Sequence, residues 1–429
     1  MTLSSAKKSA ATSNTGLDST DDFAHELKTR RPFVYMQISS ILSVMAGSMV
    51  FMAFPWLAIQ LTGSATSAGI LVTITAIPGL LLAPVMGSII DKLGRRVTGI
   101  WIEILTGLVT LLIPFVANIW VMTLPLLIVL GTIRSTVGSG SGSARKSFVP
   151  DVARVAKMPL ERANSIQEAV FASGFALGPA IAAFCIGWIG IYNTFYVVSA
   201  LCIVSGLFMI PIKALEHKED HDEEKNLFKY ALEGFTILFK TPSVFILLAG
   251  VMTLAMVYLP TEMIVLPAYF NSTNNPQGLG LLLSAMAGAS VFGALAFERL
   301  ARKFKYSSIF RIAILGIAGC MIPMSFLLPY AFMIFFGLIL GAVWGPLMPL
   351  LNTVIQRKIP PSKRGRVFSL EMVIWSGGPM ISMIFAGVAV DAFGVQPVYL
   401  FLACFVTFAG LLITFSKYMK EINTADYEN

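Results

Sequence analysis

Charged residues are scarce in this sequence of 429 residues. Asp, Glu, Lys and Arg together make up 13% of the chain, whereas ordinary soluble domains carry about 25%. Hydrophobic residues make up 56%, and the mean hydropathy is +0.77. This composition excludes a soluble globular protein, because too little polar surface is available to enclose the many apolar runs in water.

Histidine and cysteine are also few, and their positions exclude several kinds of chemistry. The histidines all lie outside the apolar runs, so none offers a protonatable group inside a membrane: they are His25, His217 and His221. The cysteines lie within apolar runs and lack paired spacing: they are Cys185, Cys202, Cys320 and Cys404. We therefore predict no disulfide framework, no metal site and no cofactor. The absence of a nucleophile and base in combination within these runs argues against an enzyme.

Twelve apolar runs of roughly 20 residues or more do occur, and each is long enough for a helix to cross a bilayer core of about 30 Å. They cover residues 33–60, 67–90, 97–116, 119–142, 165–189, 193–212, 243–270, 278–297, 307–329, 331–355, 368–390 and 396–416. The sequence therefore predicts an all-α membrane protein with 12 transmembrane helices.

The formal net charge of +8 arises from bases on one side of these spans. Of 31 Lys and Arg residues, Arg134 lies within a span, and the other 30 lie in the two tails and in alternate connections. Those connections are 92–96, 145–162, 213–240, 299–311 and 357–366. Because basic connections stay in the cytoplasm, we predict a multi-pass protein of the cell membrane with both termini cytoplasmic. The charge therefore indicates no nucleic acid partner.

The charge-dense stretch after the sixth span divides the chain into two halves. We predict a tail at 1–32, a six-helix bundle at 33–212, a cytoplasmic linker at 213–240, a second six-helix bundle at 241–416 and a tail at 417–429. The halves resemble each other, since Arg162–Gly190 aligns without a gap on Arg366–Gly394, and Asp91–Arg96 resembles Glu298–Lys303. Duplicated halves are typical of transporters whose substrate site lies between them.

The connection between the second and third spans carries a candidate gating motif. Gly87 permits close helix approach, and Gly94 permits a turn conformation closed to other residues. Asp91 is placed to face a neighbouring helix N-terminus, and Arg95 and Arg96 are placed to pair with acids or lipid phosphates. Such interactions are expected to hold a state that is closed on the cytoplasmic side.

At this motif the chain resembles the major facilitator superfamily. Similarity continues at Arg134, Gly138 and Gly140, which match an Arg-x-x-x-Gly-x-Gly pattern, although Val137 replaces a frequent Gln. The segment Gly174–Pro179 is similar to the Gly-x-x-x-Gly-Pro element of antiporters, with Ala182 and Ala183 where a Gly pair is usual. Gly174 and Gly178 allow tight helix crossing, and Pro179 bends the helix. The resemblance implies the major facilitator fold, in which two six-helix bundles rock about a central cavity.

Closer similarity is to the drug:proton antiporter branch that contains macrolide-efflux and Tap-type multidrug exporters. The segments that carry it are Phe54–Gln60, Arg162–Glu168, Tyr258–Glu262 with Pro267, Trp344–Pro346 and Arg364–Val367. The resemblance implies proton-driven export of amphiphilic small molecules.

Carboxylates within the spans are the candidate proton carriers, because charge in a span is costly and marks a functional site. Glu262 is the foremost, lying deep in the seventh span between two prolines. Glu103, Glu168 and Glu371 lie nearer the cytoplasmic surface. Arg134 needs an acidic partner, for which Glu168 and Glu103 are the candidates. Each acid also has a purely structural interpretation, as a hydrogen-bond acceptor or a partner of loop bases.

A site for amphiphilic compounds is expected to combine aromatic rings, adaptable methionines and one acid. Besides Glu262, the candidates are Phe51, Phe54, Trp56, Met252, Met256, Tyr258 and Trp344. Packing against lipid or within the core is the alternative for each of them.

We expect a transporter whose partners are the bilayer, protons and an amphiphilic substrate, with no obligate protein partner. Export of an endogenous amphiphile such as a siderophore or lipid, and uptake of a solute, remain open. So does a non-transporting membrane sensor or scaffold, although such a protein has no need of an embedded acid or of Arg134.

Overall fold

The computed structural model describes residues 30–158, 160–212, 239–359 and 361–423. Regular structure within these residues is helical throughout. The helices are α1 (Arg31–Thr62), α2 (Ala65–Leu93), α3 (Arg95–Ile119), α4 (Leu124–Gly138), α5 (Ser141–Val155), α6 (Leu160–Ile189), α7 (Ile191–Met209), α8 (Pro242–Pro260), α9 (Leu266–Ser272), α10 (Pro276–Lys303), α11 (Tyr306–Ser325), α12 (Tyr330–Trp344), α13 (Leu347–Lys358), α14 (Pro361–Phe393), α15 (Val395–Phe415) and α16 (Tyr418–Glu421). A π-helical segment, Thr261–Val265, joins α8 to α9.

Proline and glycine set the limits of these helices. Proline stands in the first turn of α1, α4, α8 and α10, where its missing N–H costs no hydrogen bond. Glycines with positive φ make the tightest connections: Gly63 (69°), Gly94 (92°), Gly190 (88°) and Gly394 (85°). Gly190 and Gly394 end the two segments that align between the halves. Their φ angles are nearly equal, so the internal repeat includes the backbone conformation of these two turns.

The all-helical membrane fold expected from the sequence is confirmed. Within the described residues, nine helices are long and apolar enough to cross a membrane. Shorter apolar helices, Ala65–Gly79, Leu124–Gly138 and Gly377–Phe393, occupy the places of the second, fourth and eleventh predicted spans. The fourth helix is shorter than the predicted 119–142, and the tenth span is interrupted between Trp344 and Leu347. The count of twelve crossings therefore stays a prediction.

Connections alternate between two faces of the molecule. One face, called here the basic face, carries the turns at Gly94 and Lys305 and the start of α5, near Arg95, Arg145 and Arg302. The opposite face carries the turns at 63–64, 120–123, 190, 273–275, 326–329 and 394, which contain no Lys or Arg. The predicted tail at 1–32 and the linker at 213–240 lie largely outside the described residues, and so does the end of the tail at 417–429, from residue 424.

The helices pack as two groups. In the first half, α1 packs on α2, α6 and α7, and α3 packs on α7; in the second, α10 packs on α12, α11 on α15, and α8 on α14. Two helix pairs, α2 with α14 and α6 with α10, carry most of the contact between the groups. We call these two pairs the seam.

The described seam contacts lie in the half of the molecule next to the opposite face. Thr73 donates a hydrogen bond to the Met380 carbonyl (3.0 Å), and the Ala180 N–H donates to Ser284 Oγ (2.9 Å). The backbones approach so closely that a Cβ on Gly69 would lie 2.6 Å from the Met383 carbonyl oxygen. The two halves are therefore packed together tightly at this depth.

Asp391 adds a polar contact across the seam at its outermost turn. Its carboxylate accepts hydrogen bonds from Ser64 Oγ (2.5 Å) and from the backbone N–H groups of Ala65 (2.7 Å) and Thr66 (2.9 Å). The two N–H groups are otherwise unpaired donors in the first turn of α2, where a negative charge is favoured. An acid of the second half thus caps a helix of the first half.

Candidate functional site

Glu262 lies in a local change of helix type. Pro260 and Pro267 each remove a backbone donor from the helical ladder, and the π-helical segment Thr261–Val265 lies between them. Such π segments are rare and concentrate at functional sites, because the extra residue re-aims the side chains around it. The sequence indicated the prolines and the acid but not this change of helix type.

The Glu262 side chain is enclosed among aromatic residues of the second half. Only 8% of the residue is exposed, and the Tyr258 hydroxyl lies close to its carboxylate. The Tyr258 ring stacks on Trp344 with centroids 4.4 Å apart and planes inclined by 15°. Tyr399 of α15, which is 1% exposed, lies near the same carboxylate. Glu262 is thus a buried acid in an aromatic setting.

Glu103 lies in a second, separate polar cluster, inside the first half. Its carboxylate forms an ion pair with Arg145 (3.0 Å) and accepts hydrogen bonds from Ser43 (2.9 Å) and Ser141 (2.5 Å). Arg145 also donates to the hydroxyls of Ser39 and Ser205. Glu103 and Arg145 are 3% and 4% exposed, so this is a buried ion pair whose serine partners come from three helices.

The predicted partner of Arg134 was wrong. Glu103 is bound to Arg145, a base of the predicted cytoplasmic connection 145–162. Glu168 is 67% exposed at its side chain and lies 3.9 Å from Lys146. Arg134 instead donates from Nε to Thr110 Oγ1 (3.0 Å) and lies within hydrogen-bonding reach of the Cys202 thiol. The side chain of Glu371 lies outside the described residues.

Two adjoining cavities meet at Arg134. A polar chamber of about 380 Å³ extends toward the basic face and is lined by Arg134, Glu103, Ser43, Ser139 and Ser141 among others. An apolar chamber of about 210 Å³ lies at mid-depth and is lined by Phe51, Phe54, Val50, Val72 and Met263 among others. Gly47, Arg134 and Ser135 line both chambers. Because Met263 follows Glu262, the π segment of the second half adjoins the apolar chamber.

The predicted aromatic and methionine residues do not form one cluster. Phe51 and Phe54 line the apolar chamber, whereas Tyr258 and Trp344 surround Glu262. Trp56 is 3% exposed and belongs to the core of the molecule, and Met252 is also buried. Met256 is 39% exposed, and its side chain lies 3.8 Å from the position of a Cβ built on Gly378.

The profile of the Major Facilitator Superfamily matches residues 36–378 and 263–426 of this sequence, which is nearly the whole chain. The chain belongs to this superfamily. It is therefore a multi-pass membrane transporter, and the resemblance inferred from the motifs is confirmed.

Two curated relatives that match over nearly their full length carry the name of a multidrug efflux pump. The chain is 26% identical to "Multidrug efflux pump Tap" of Mycolicibacterium fortuitum, covering 92% of this chain and 98% of the relative. It is 28% identical to the protein of that name from Mycobacterium tuberculosis (strain ATCC 25618 / H37Rv), covering 92% and 96%.

Solved structures support the fold. The nucleoside transporter NupG superposes with a TM-score of 0.74 at 14% identity, covering 90% of this chain and all of that one. A bacterial homologue of the lysosomal transporter Spinster, described as inward-facing and unoccupied, has a TM-score of 0.68 at 14% identity, covering 92% and 99%.

The superfamily's motif between α2 and α3 forms polar contacts with neighbouring helices on the basic face. Arg95 forms an ion pair with Asp151 (3.0 Å), whose side chain is 1% exposed. Arg96 donates to the carbonyls of Met209 and Ile210 at the end of α7, where a cation is favoured. The sequence had predicted acids or lipid phosphates for both arginines. Gly87 and Asp91 lie within α2, but their side chains are outside the described residues.

The antiporter-like element of α6 packs inside the first half. A Cβ on Gly174 would lie 3.0 Å from Val44 Cβ, and Ser48 Oγ donates to the Gly174 carbonyl (3.1 Å). Gly178 faces Ser48 as well, so both glycines serve the crossing of α6 with α1. Pro179 lies within α6 and reaches the seam, where its carbonyl oxygen lies 2.5 Å from the position of a Cβ on Gly280.

Adding a methyl group at Gly178 is expected to weaken the fold. An Ala Cβ there would lie 2.8 Å from Ser48 Cβ and 3.0 Å from the Met45 carbonyl oxygen. We expect Gly178→Ala to lower the free energy of unfolding by about 1–3 kcal/mol, measured by thermal unfolding in detergent. Gly288→Ala is the matched control, because nothing lies within 4 Å of its Cβ. Equal unfolding temperatures for the two variants would show that α1 and α6 are not in close contact.

Proposed function

We propose that this transporter exports amphiphilic small molecules across the cell membrane in exchange for protons, by alternating access. In this proposal the basic face lies in the cytoplasm, as the distribution of Lys and Arg indicates. The observation that carries the proposal is the position of Glu262. It is a buried carboxylic acid on a π-helical segment whose next residue, Met263, lines the apolar chamber of the first half.

Glu262 has the properties that a proton carrier needs. A carboxylate inside a membrane is costly, so proton binding there is linked to how far water reaches the site. The Tyr258 hydroxyl lies beside this carboxylate, and buried apolar side chains surround the segment. When Glu262 is exposed first to one side of the membrane and then to the other, its proton occupancy changes. The proton gradient then drives the exchange.

The names of the relatives favour export of drugs. Each Tap relative is named a multidrug efflux pump and is matched over nearly its full length. The chambers beside Glu262 combine phenylalanines and a methionine with polar side chains, which suits compounds that have both an apolar and a polar part. Exposed apolar side chains such as Phe292, Phe385 and Phe408 are suited to contact lipid.

Alternating access requires the seam to open. The described seam contacts close the side of the molecule opposite the basic face, so we assign the structure to a state closed toward the outside. Opening toward the outside then has to break the Asp391 cap, the Thr73 and Ala180 hydrogen bonds, and the glycine packing.

Removing the Asp391 cap is expected to favour the outward-open state. Loss of a helix N-cap costs about 0.5–2 kcal/mol, and this contact exists only while the seam is closed. We expect Asp391→Ala to raise the labelling rate of a cysteine at Thr73 by about 2- to 30-fold with a membrane-impermeant maleimide added outside. Ser272→Ala is the control, since its hydroxyl binds only a carbonyl of its own helix. An unchanged labelling rate would show that this contact does not hold the seam.

The proposal is tested in proteoliposomes loaded at one pH and diluted into another. If it is correct, an imposed pH gradient drives accumulation of a fluorescent amphiphilic dye against its concentration gradient, and nigericin, which collapses the pH gradient, abolishes it. Dye movement that follows only its own gradient and ignores the pH gradient would contradict proton exchange, although transport itself would stand.

A further inference from the structure

The charges of the described residues around Arg134 do not balance. Arg134 and Arg145 are two guanidinium cations, and Glu103 is the one carboxylate among the described residues of this cluster, so one positive charge remains. Arg145 and Glu103 satisfy each other, together with four serine hydroxyls. The uncompensated charge therefore belongs to Arg134.

Arg134 presents its guanidinium to the cavity. Arg134 lines both chambers; its Nε atom donates to Thr110, and the Cys202 thiol lies within hydrogen-bonding reach of its guanidinium. A guanidinium with free donors binds carboxylate and phosphate groups in a bidentate manner. The hydroxyl of Ser135 lines the same polar chamber and adds a further donor, whereas the hydroxyls of Ser139 and Ser141 donate to the Thr136 carbonyl and to Glu103.

We propose that Arg134 binds the anionic head, a carboxylate or a phosphate monoester, of an amphiphilic substrate whose apolar body occupies the neighbouring chamber. The arrangement of the chambers carries this inference. The polar chamber of about 380 Å³ holds the donors, and the apolar chamber of about 210 Å³ begins at Arg134 and is lined by Phe51, Phe54 and Met263. One molecule with a charged end and an apolar end fills both and supplies the missing negative charge.

This inference rests on the proposed function, because it names the substrate class of the same cavity. It selects anionic amphiphiles over the cationic compounds that a single buried acid would favour. The Glu262 carboxylate lies among Tyr258 and Tyr399 and lines neither chamber, so in this inference Arg134, and not Glu262, binds the head. The proton site and the substrate head site are then two separate places.

Binding to the full-length protein in nanodiscs tests the inference without any gradient. The probes are naphthylacetate, naphthylacetamide and naphthylmethyl-trimethylammonium, which share an aromatic body and differ in charge, with empty nanodiscs as the blank. We expect calorimetry to show naphthylacetate binding roughly 10- to 100-fold more tightly than the amide, and the quaternary ammonium compound binding most weakly. Equal affinities, or no binding of naphthylacetate, would overturn the inference.

The variants assign the preference to Arg134. In Arg134→Gln the affinities for naphthylacetate and for the amide are expected to become equal, whereas Arg134→Lys keeps a reduced preference for the anion. Arg302→Gln is the control, because Arg302 is exposed and pairs with Glu298 at the basic face. Unfolding temperatures show which variants are folded. If Arg134→Gln does not fold, Thr110→Val serves in its place. That substitution removes the hydroxyl that holds the guanidinium and is expected to weaken anion binding. A preference that survives in a folded Arg134→Gln protein would overturn the assignment.

Binding of inorganic phosphate alone distinguishes a site for free anions from a site for the anionic head of an amphiphile. We expect it to bind at least about tenfold more weakly than naphthylacetate, because it leaves the apolar chamber empty. If phosphate bound as tightly as naphthylacetate, the site would be one for free anions, and the inference of an amphiphilic substrate would be overturned. Failure of the proposed proton exchange would leave these affinities unchanged, so the two proposals fail separately.

Discussion

Replacing Glu262 by Gln is expected to reduce dye accumulation driven by a pH gradient to the level of empty liposomes. Gln has nearly the same shape as the protonated acid but cannot release a proton, so the carrier stays permanently in the neutral form. The aromatic cage of Tyr258, Trp344 and Tyr399 is expected to accept the amide without repacking. Movement of dye down its own concentration gradient should therefore persist in the variant.

The control for this prediction is Glu298→Gln. Glu298 begins the segment of the second half that resembles Asp91–Arg96; it is 74% exposed at its side chain and pairs with Arg302 one turn away. Accumulation by this variant is expected to equal that of the unmodified protein. Gradient-driven accumulation by Glu262→Gln at the normal level would place the proton carrier elsewhere, and Glu103 would be the next acid to examine.

Replacing Glu103 by Gln is expected to produce the largest loss of stability. The variant leaves Arg145 buried and without its counter-charge, and breaking one side of a buried ion pair costs about 3–5 kcal/mol. Serine hydroxyls continue to accept hydrogen bonds from Arg145 but carry no negative charge. Thermal unfolding of the purified variant in detergent measures the change.

Two comparisons show whether the cost is electrostatic. Glu298→Gln removes an exposed pair and is expected to change the free energy of unfolding by less than about 1 kcal/mol. Combining Glu103→Gln with Arg145→Met removes both charges and is expected to recover much of the loss. A Glu103→Gln protein as stable as the unmodified one would mean that the ion pair does not exist in the membrane.

Much of the architecture was predictable because a bilayer restricts what a sequence can do. Helices must satisfy their own backbone groups, so long apolar runs locate them, and their charged connections alternate between faces. Glu262 was predictable for the same reason, since an acid between two prolines stands out in an apolar run. The turn at Gly94 was visible as well, because glycine is the residue best suited to positive φ.

The polar partners were not predictable, because they come together from distant parts of the chain. Arg145 was counted with the loop bases, since no apolar run contains it; the short helix α5 turns its side chain inward. Its partners Ser39 and Ser205 lie on α1 and α7, and small hydroxyls in an apolar helix are a weak signal. Asp391 lay just past a predicted span, and its role depends on a helix end 325–327 residues earlier.

The most direct test of the central claim is to follow dye and protons in the same proteoliposomes, with no pH gradient imposed at the start. A concentration gradient of dye is applied, and a pH-sensitive fluorophore inside reports proton movement. The account predicts that dye leaving the vesicles moves protons into them, and that Glu262→Gln passes dye without moving protons. Protons that travel in the same direction as the dye, or no proton movement in the unmodified protein, would contradict it.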